Sequence, residues 1–377
     1  MMIRVVRCAV LTLLVGLSAG RAAAQPTPAP EPKSAPEPEP APEPAAPQEV
    51  SSSASLIAPT ISGFVDLTYN YNARDPMDGV TRFHPYTSRH DTLLLNVAHV
   101  ALSGANDTVS YAVEVDLGSD AQINSGDDDV DLQEAYVAYV SPIGLGIKAG
   151  KFVTYQGIEV IESGANPTIS RGFLFGLAEP FTHVGAVLTY KINPSFDVAA
   201  GVVNGWDLVV DNNRGKTVVA KLGYTGDGAL LTASGYVGPE RAGNADDLRL
   251  SGDLTGMLKL GVLDLWAQVN AGSEEGAAPG SSTASWVGAA VEPVWRALDK
   301  LTVGARAEIF RDDDGARTGA EQTLYNVTVT PSYLLTAGLV LRGELRVDMS
   351  SDDVFIDTDG SVYGNQVVAL TEAIYSF

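Results

Sequence analysis

The chain has 377 residues, with 24 Lys and Arg against 46 Asp and Glu and a formal charge of −22. Acidity on that scale excludes nucleic acid as a partner, because phosphate binding calls for a basic face. A single cysteine, Cys8, allows no disulfide framework.

Residues 1–24 read as a secretory signal peptide. Arg4 and Arg7 precede an apolar run from Cys8 to Leu17, and Ala22, Ala23 and Ala24 supply a cleavage site before Gln25. A membrane anchor is the weaker reading, since the run falls short of the ~20 apolar residues that span a bilayer. Cys8 lies ahead of the apolar run rather than at a cleavage site, which argues against a lipoprotein. Cleavage removes it with three arginines, leaving 21 Lys and Arg against 46 Asp and Glu, a charge of −25. Residues 25–56 follow as a Pro-, Ala- and Glu-rich periplasmic linker that holds ten of the 21 prolines. Fixed φ and missing donors make it an extended tether and keep it out of any core.

From residue 57 to residue 377 the sequence has a period of two. In "TVSYAVEVDLG", Tyr111, Val113, Val115 and Leu117 share one face, while Ser110, Glu114 and Asp116 share the other. In "GLVLRGELRVD", Leu339, Leu341, Leu345 and Val347 oppose Arg342, Glu344, Arg346 and Asp348. Successive strand side chains point to opposite faces, so one face meets an oily medium and the other meets water. Sixteen strands are predicted, near 59–72, 92–103, 108–118, 130–140, 144–153, 182–191, 195–206, 214–224, 229–238, 247–258, 261–271, 283–293, 300–310, 320–330, 337–348 and 366–377.

Their connections sort into two lengths. "SPIG" (141–144), "INPS" (192–195) and "TGDG" (225–228) are tight turns. "GSDAQINSGDDD" (118–129), "AGSEEGAAPGSS" (271–282), "RDDDGARTG" (311–319) and "SSDDVFIDTDGSVYG" (350–364) are long and acidic or Gly-rich. Short turns at one end and long loops at the other describe a transmembrane antiparallel β-barrel, which needs no apolar helix. An even strand number returns the chain to the side it started from. The closing "VVALTEAIYSF" puts Val367, Ala369, Ala373, Tyr375 and Phe377 on one face, with a terminal aromatic of the kind that outer-membrane assembly machinery reads. A soluble sandwich would alternate as well, but its connections would not divide by length, and no fixed repeat points to a solenoid.

The same parity turns Asp66, Glu114, Asp116, Glu134, Asp253, Asp264, Glu308, Glu344 and Glu372 inward, together with Lys148, Lys221, Arg249, Arg306, Arg342 and Arg346. A lysine or arginine facing lipid at mid-bilayer costs about 2–4 kcal/mol, so these charges belong on the water side. Their balance is acidic, which favours cations weakly. Much of the set is expected to be paired and merely to solvate the wall.

The longest connection runs from Thr154 to Phe181 and gathers Phe173, Leu174, Phe175, Leu177 and Phe181 between Pro167 and Pro180. So apolar a loop must pack somewhere. Folded into the lumen it would narrow a channel, with Glu159, Glu162 and Arg171 as the charges facing the pathway. The alternative is an external cap or a subunit contact. Around this loop, Gly150-Lys151-Phe152, Gly157, Glu159, Asn166, Ser170-Arg171, Phe175, Pro180-Phe181-Thr182-His183 and Gly185 give residues 132–190 a specific resemblance to the putative β-barrel porin-2 family of Gram-negative outer membranes. Gly172 departs from the polar residue expected after Ser170-Arg171. The resemblance implies a porin-like outer-membrane protein in contact with lipid and lipopolysaccharide, passing small hydrophilic solutes or ions, and it names no solute. A non-conducting structural or adhesive barrel is the rival. By analogy with sixteen-stranded porins a homotrimer is expected, although no segment marks an interface.

Enzyme chemistry finds no motif, since G-x-S-x-G, H-E-x-x-H and Walker sequences are missing. No cofactor is called for. His84 and His90 in the first long loop are spaced too loosely to specify a metal. "DTDG" (357–360) starts like a calcium loop, but its twelfth position, Val368, cannot act as the bidentate ligand. Diffuse divalent-cation association remains open for Asp127, Asp128, Asp129, Asp312, Asp313 and Asp314.

Overall fold

The computed structural model describes residues 57–126 and 128–377. The expected signal peptide and linker, residues 1–24 and 25–56, lie outside the described residues, as does Asp127. Strands run in the order β1 (Thr60–Asn72), β2 (Thr92–Ala105), β3 (Val109–Leu117), β4 (Val130–Val140), β5 (Leu145–Val153), β6 (Thr182–Asn193), β7 (Phe196–Val203), β8 (Thr217–Gly226) and β9 (Ala229–Pro239). They continue with β10 (Leu248–Leu260), β11 (Leu263–Ala278), β12 (Ser282–Leu298), β13 (Leu301–Asp312), β14 (Gln322–Thr336) and β15 (Leu339–Ser350), then a small hairpin of β16 (Phe355–Ile356) and β17 (Val362–Tyr363), and β18 (Asn365–Ser376). A short helix, α1 (Ser119–Ser125), sits between β3 and β4.

Sixteen of these strands close into one antiparallel barrel in chain order, and β16 and β17 pair as a separate two-stranded hairpin. Closure pairs β1 with β18 from Phe64 opposite Ser376 to Asn72 opposite Val368. The terminal residue completes the seam, as Phe377 donates its amide to Gly63 O at 3.0 Å and accepts from Gly63 N at 3.2 Å. A closed ladder leaves no strand edge unpaired, which is what a sheet in hydrocarbon requires. Where strands reverse tightly, Gly228 and Gly261 take φ of 72° and 68°, a region closed to most side chains.

Parity sorts the wall as the sequence predicts. Arg342, Glu344, Arg346 and Asp348 of β15 are buried inside, while Leu341, Leu345 and Met349 are exposed outside. At the short-turn end an aromatic band faces outward, made by Tyr139, Tyr190, Phe196, Trp295, Tyr333 and Tyr375. Amphipathic rings at that level suit a headgroup interface. Among the described residues no helix is long and apolar enough to cross a membrane.

Several boundaries differ from expectation, with β12 reaching Leu298 and β14 reaching Thr336, past the expected 293 and 330. The segment read as a loop at 271–282 is mostly strand, because β11 and β12 stay paired from Ser273 opposite Ser285 to Ala278 opposite Ser282 and turn over a single 3-10 turn, Pro279–Ser281. Inward Glu274 there is fixed by Arg249 of β10 at 2.8 Å, and the register shifts just beyond it, between Glu274 and Ala278. The expected strand 195–206 stops at Val203, and Asp207 in the connection that follows accepts the amides of Phe181 and Thr182 at 2.6 and 2.9 Å. The last long loop contains the β16–β17 hairpin, whose alternation is too short to read in the sequence.

Candidate functional site

The 154–181 loop leaves β5 and returns to β6 with Thr154 N donating to Phe181 O at 3.0 Å. Between these ends its only regular turns are Ser163–Ala165 and Leu174–Ala178. An irregular segment carries backbone donors and acceptors that must be satisfied if it is buried. The inner wall of the barrel supplies the partners.

Wall carboxylates accept the loop's amides. Asp253 on β10 takes Gly157 N at 3.2 Å. Glu344 on β15 takes Ile169 N at 2.5 Å and Ser170 N at 3.2 Å. Glu308 on β13 takes Phe173 N and Leu174 N at 2.7 and 2.6 Å. Wall arginines donate to the loop's carbonyls. Arg342 reaches Asn166 O at 2.8 Å and Ser163 O at 3.0 Å, Arg306 reaches Ser170 O at 2.7 Å, and Arg346 reaches Arg171 O at 2.6 Å. The loop therefore lies inside the barrel, against β10 and β13 to β15, with wall side chains taking the place of ladder bonds.

Two of the three charges expected to face a pathway do not. Glu159 is buried between Arg306, 2.6 Å away, and the Gly172 amide, also at 2.6 Å. Arg171 is buried and folds back on its own loop, donating to Val160 O at 3.0 Å, Ile169 O at 2.9 Å and Ile161 O at 2.5 Å. Both serve the loop's backbone. Glu162 alone is half-exposed, accepting from Gln133 of β4 at 2.5 Å. Gly172 has a reason to be glycine, since a Cβ there would sit 2.7–2.8 Å from the Glu308 carboxylate and 3.0 Å from that of Glu159.

The aromatics hold the loop from the long-loop side. Phe173 and Leu174 pack with Trp286, Phe310 and Leu324, apolar residues on the inner face of β12 to β14, and with Phe355 of the β16–β17 hairpin. Phe83 of the first long loop meets Phe173 and Phe355 edge-on at 6.3 and 5.9 Å. Phe175 stacks on Phe181 at 4.8 Å and lies 5.8 Å from Tyr86. Sequence reasoning named Phe173, Phe175 and Phe181 but missed Phe83, Tyr86 and Phe355. One signal was present: Trp286, Phe310 and Leu324 are apolar where parity demands lumen residues.

The remaining inward charges divide by wall. Asp66, Arg306, Glu308, Arg342, Glu344 and Arg346 are buried. Asp116 is buried against His99, with Nδ1 to Oδ1 at 2.7 Å. On β3 to β5 solvent reaches further, since the side chains of Glu114 and Lys148 keep 19 and 21 % of their surface, against 0 and 5 % for Arg306 and Glu159, while Glu134 is buried. On the short-turn side of the loop, two cavities of about 360 and 350 Å³ adjoin Asn166 and Pro167. Thr302, Ser332 and Ile374 line one, and Asp264, Trp266 and Glu292 line the other.

In the long loops burial also shifts ionisation. His84 is pushed down to about 4 by burial and then by Arg346, with Asp348 at 3.4 Å opposing the shift. Asp120 is pushed up to about 7 by burial, with Arg171 opposing. His84 and His90 do not converge, because His90 faces Asp75 at 3.0 Å and His84 faces Asp348. Asp312 spends its oxygens on the amides of Ala316, Arg317 and Thr318. Among the described residues no three His, Cys, Asp or Glu side chains are grouped to hold a metal ion.

Comparison with known proteins agrees with this geometry. The family model described as "Putative beta-barrel porin-2, OmpL-like" matches residues 59–377. No curated protein matches the chain. Among solved structures, the anion-selective porin from Comamonas acidovorans aligns with a TM-score of 0.60 over 85% of this chain and 99% of its own, at 10% identity. The outer membrane channel DcaP of Acinetobacter baumannii aligns at 0.58 over 85% and 97%, with 15% identity. The trimer form of in-vitro folded OmpT of Vibrio cholerae aligns at 0.58 over 85% and 99%, with 12% identity. At such identities the likeness is one of fold.

Proposed function

Because the chain belongs to the Putative beta-barrel porin-2, OmpL-like family, a family of outer-membrane barrels, we propose that it is a passive diffusion channel for small hydrophilic solutes or ions. The observation that carries this reading is the unequal solvation of the lumen. The 154–181 loop consumes the charges of β13 to β15, while Glu114 and Lys148 across from it stay within reach of solvent. A channel narrowed by its own inward loop and open along one wall fits that asymmetry.

The rest of the reading follows. Residues 1–24 direct Sec-type export, residues 25–56 tether the barrel in the periplasm, and outer-membrane lipid and lipopolysaccharide surround it. A homotrimer is the assembly we favour, by analogy with the trimer form of OmpT. The barrel acts as a conduit and performs no bond chemistry.

One observation favours a second reading. The apolar cluster around Phe173, Trp286 and Phe355 fills part of the lumen as a soluble core would, which suits a barrel whose work is done by its external loops. Refolded protein in planar bilayers separates the two. Reproducible conductance steps are expected from the channel, and their absence from pure, heat-modifiable protein would leave the structural barrel standing.

A further inference from the structure

Glu114 on β3 and Glu134 on β4 stand directly opposite each other in the ladder. Like charges in that relation repel and weaken a sheet unless something cationic lies between or beside them. Something does. Lys148 on β5 brings Nζ to 3.7 Å from Glu134 and 3.8 Å from the centroid of the Tyr136 ring, with the Phe152 ring centroid at 5.1 Å. A carboxylate beside an aromatic face is a seat for an ammonium group. The third carboxylate, Glu162, is tied to the neighbouring Gln133, whose buried Oε1 has no partner.

Glu114 and Glu134 of the wall and Glu162 of the loop thus share one local cation, Lys148, because the next lysine on β5, Lys151, is paired one to one with Asp131 at 2.9 Å. Lys221 on β8 is a contrasting case, because it pairs one to one with Asp197 at 2.8 Å and leaves no local surplus. His99 lies 3.9 Å from Glu114 but is held by Asp116 at 2.7 Å.

We propose that Lys148 sets the ion selectivity of the passage: its ammonium is a tethered cation occupying the Glu134–Tyr136 seat that a permeating cation would otherwise take. The wall is cation-preferring by composition, and Lys148 moderates that preference by filling its strongest station. This rests on the channel reading. A side chain on four methylenes can swing aside, whereas an untethered cation in the seat would have to be displaced by the next.

The test is the reversal potential of the full barrel across a KCl gradient, with the wild type measured first. In Lys148→Met the cation-to-anion permeability ratio should rise about fivefold, roughly the weight of one unit charge at contact distance in water. Methylammonium, which matches the lysine head group, should then slow potassium current in that variant and not in the wild type. Lys148→Arg should return selectivity toward the wild type, Glu134→Gln should lower cation preference, and Lys221→Met should shift selectivity far less than Lys148→Met. Heat-modifiable gel migration reports that each barrel is closed. A wild type without conductance overturns the channel reading and this inference together. A conducting wild type with Lys148→Met at the same reversal potential overturns the inference alone.

Discussion

The Glu308 carboxylate accepts the amide of Phe173 at 2.7 Å across 135 residues of sequence, and the same group accepts Leu174 N. A side chain on a late strand thereby does for an early loop what a neighbouring strand does for a strand. Glu308 also lies 3.9 Å from Arg306. Replacing it with Ala should strand two buried amides and leave Arg306 with one carboxylate fewer, at a cost of about 1–3 kcal/mol for each unpaired group. The damage should stay in the loop. Limited proteolysis should cut Glu308→Ala within residues 154–181 well before the wild type, while heat-modifiable migration persists.

Deleting residues 160–176 removes the segment bonded to Glu308, Glu344 and Arg342. Barrel stability resides in the closed ladder, which the deletion does not touch. Single-channel conductance should therefore rise with the barrel intact. Unchanged conductance would sink the role of the loop as the constriction.

Gly172→Ser tests how tightly the loop is seated. A Cβ there meets the Glu308 carboxylate at 2.7–2.8 Å, so either the loop or Glu308 must shift. Overpacking of this kind costs about 1–3 kcal/mol. Hydrogen exchange of the Phe173 and Leu174 amides should speed up on that scale.

His84 makes the first long loop sensitive to acid. Its folded value of about 4 lies below the ordinary 6.5, with burial as the leading cause. The unfolded loop thus binds the extra proton between these values, so stability is present above pH 6.5 and lost as pH falls toward 4. At pH 5 the loss is on the order of 2 kcal/mol. His84→Gln should flatten this dependence, read as the pH profile of proteolysis near residues 83–90 in the two proteins. Equal profiles would remove His84 from the account.

Much of the fold was legible because alternation is a one-dimensional signal. Arg342, Glu344 and Arg346 could be turned inward from their spacing, and the length of the 154–181 connection marked it as unusual. What parity omits is the view across the lumen. Whether Glu159 meets water or Arg306 depends on closure and strand stagger, which bring β13 opposite a loop 147 residues away in sequence. Phe83 and Phe355 were invisible for the same reason, since each finds Phe173 only once the barrel has closed. The extension of β11 and β12 was hidden by Gly272, Gly276 and Pro279, which read as loop residues, although both glycines lie within β11.

The bonds that seat the 154–181 loop also impose an order in time. Its anchors on Glu308 and Glu344 come from strands synthesised 135 and 175 residues later, so these seats cannot receive the loop until β13 and β15 have been made. Contacts so distant in sequence form late and slowly. Until then Phe173 and Leu174 lack the core of Trp286, Phe310 and Leu324 that buries them, so the ladder closes before the loop settles.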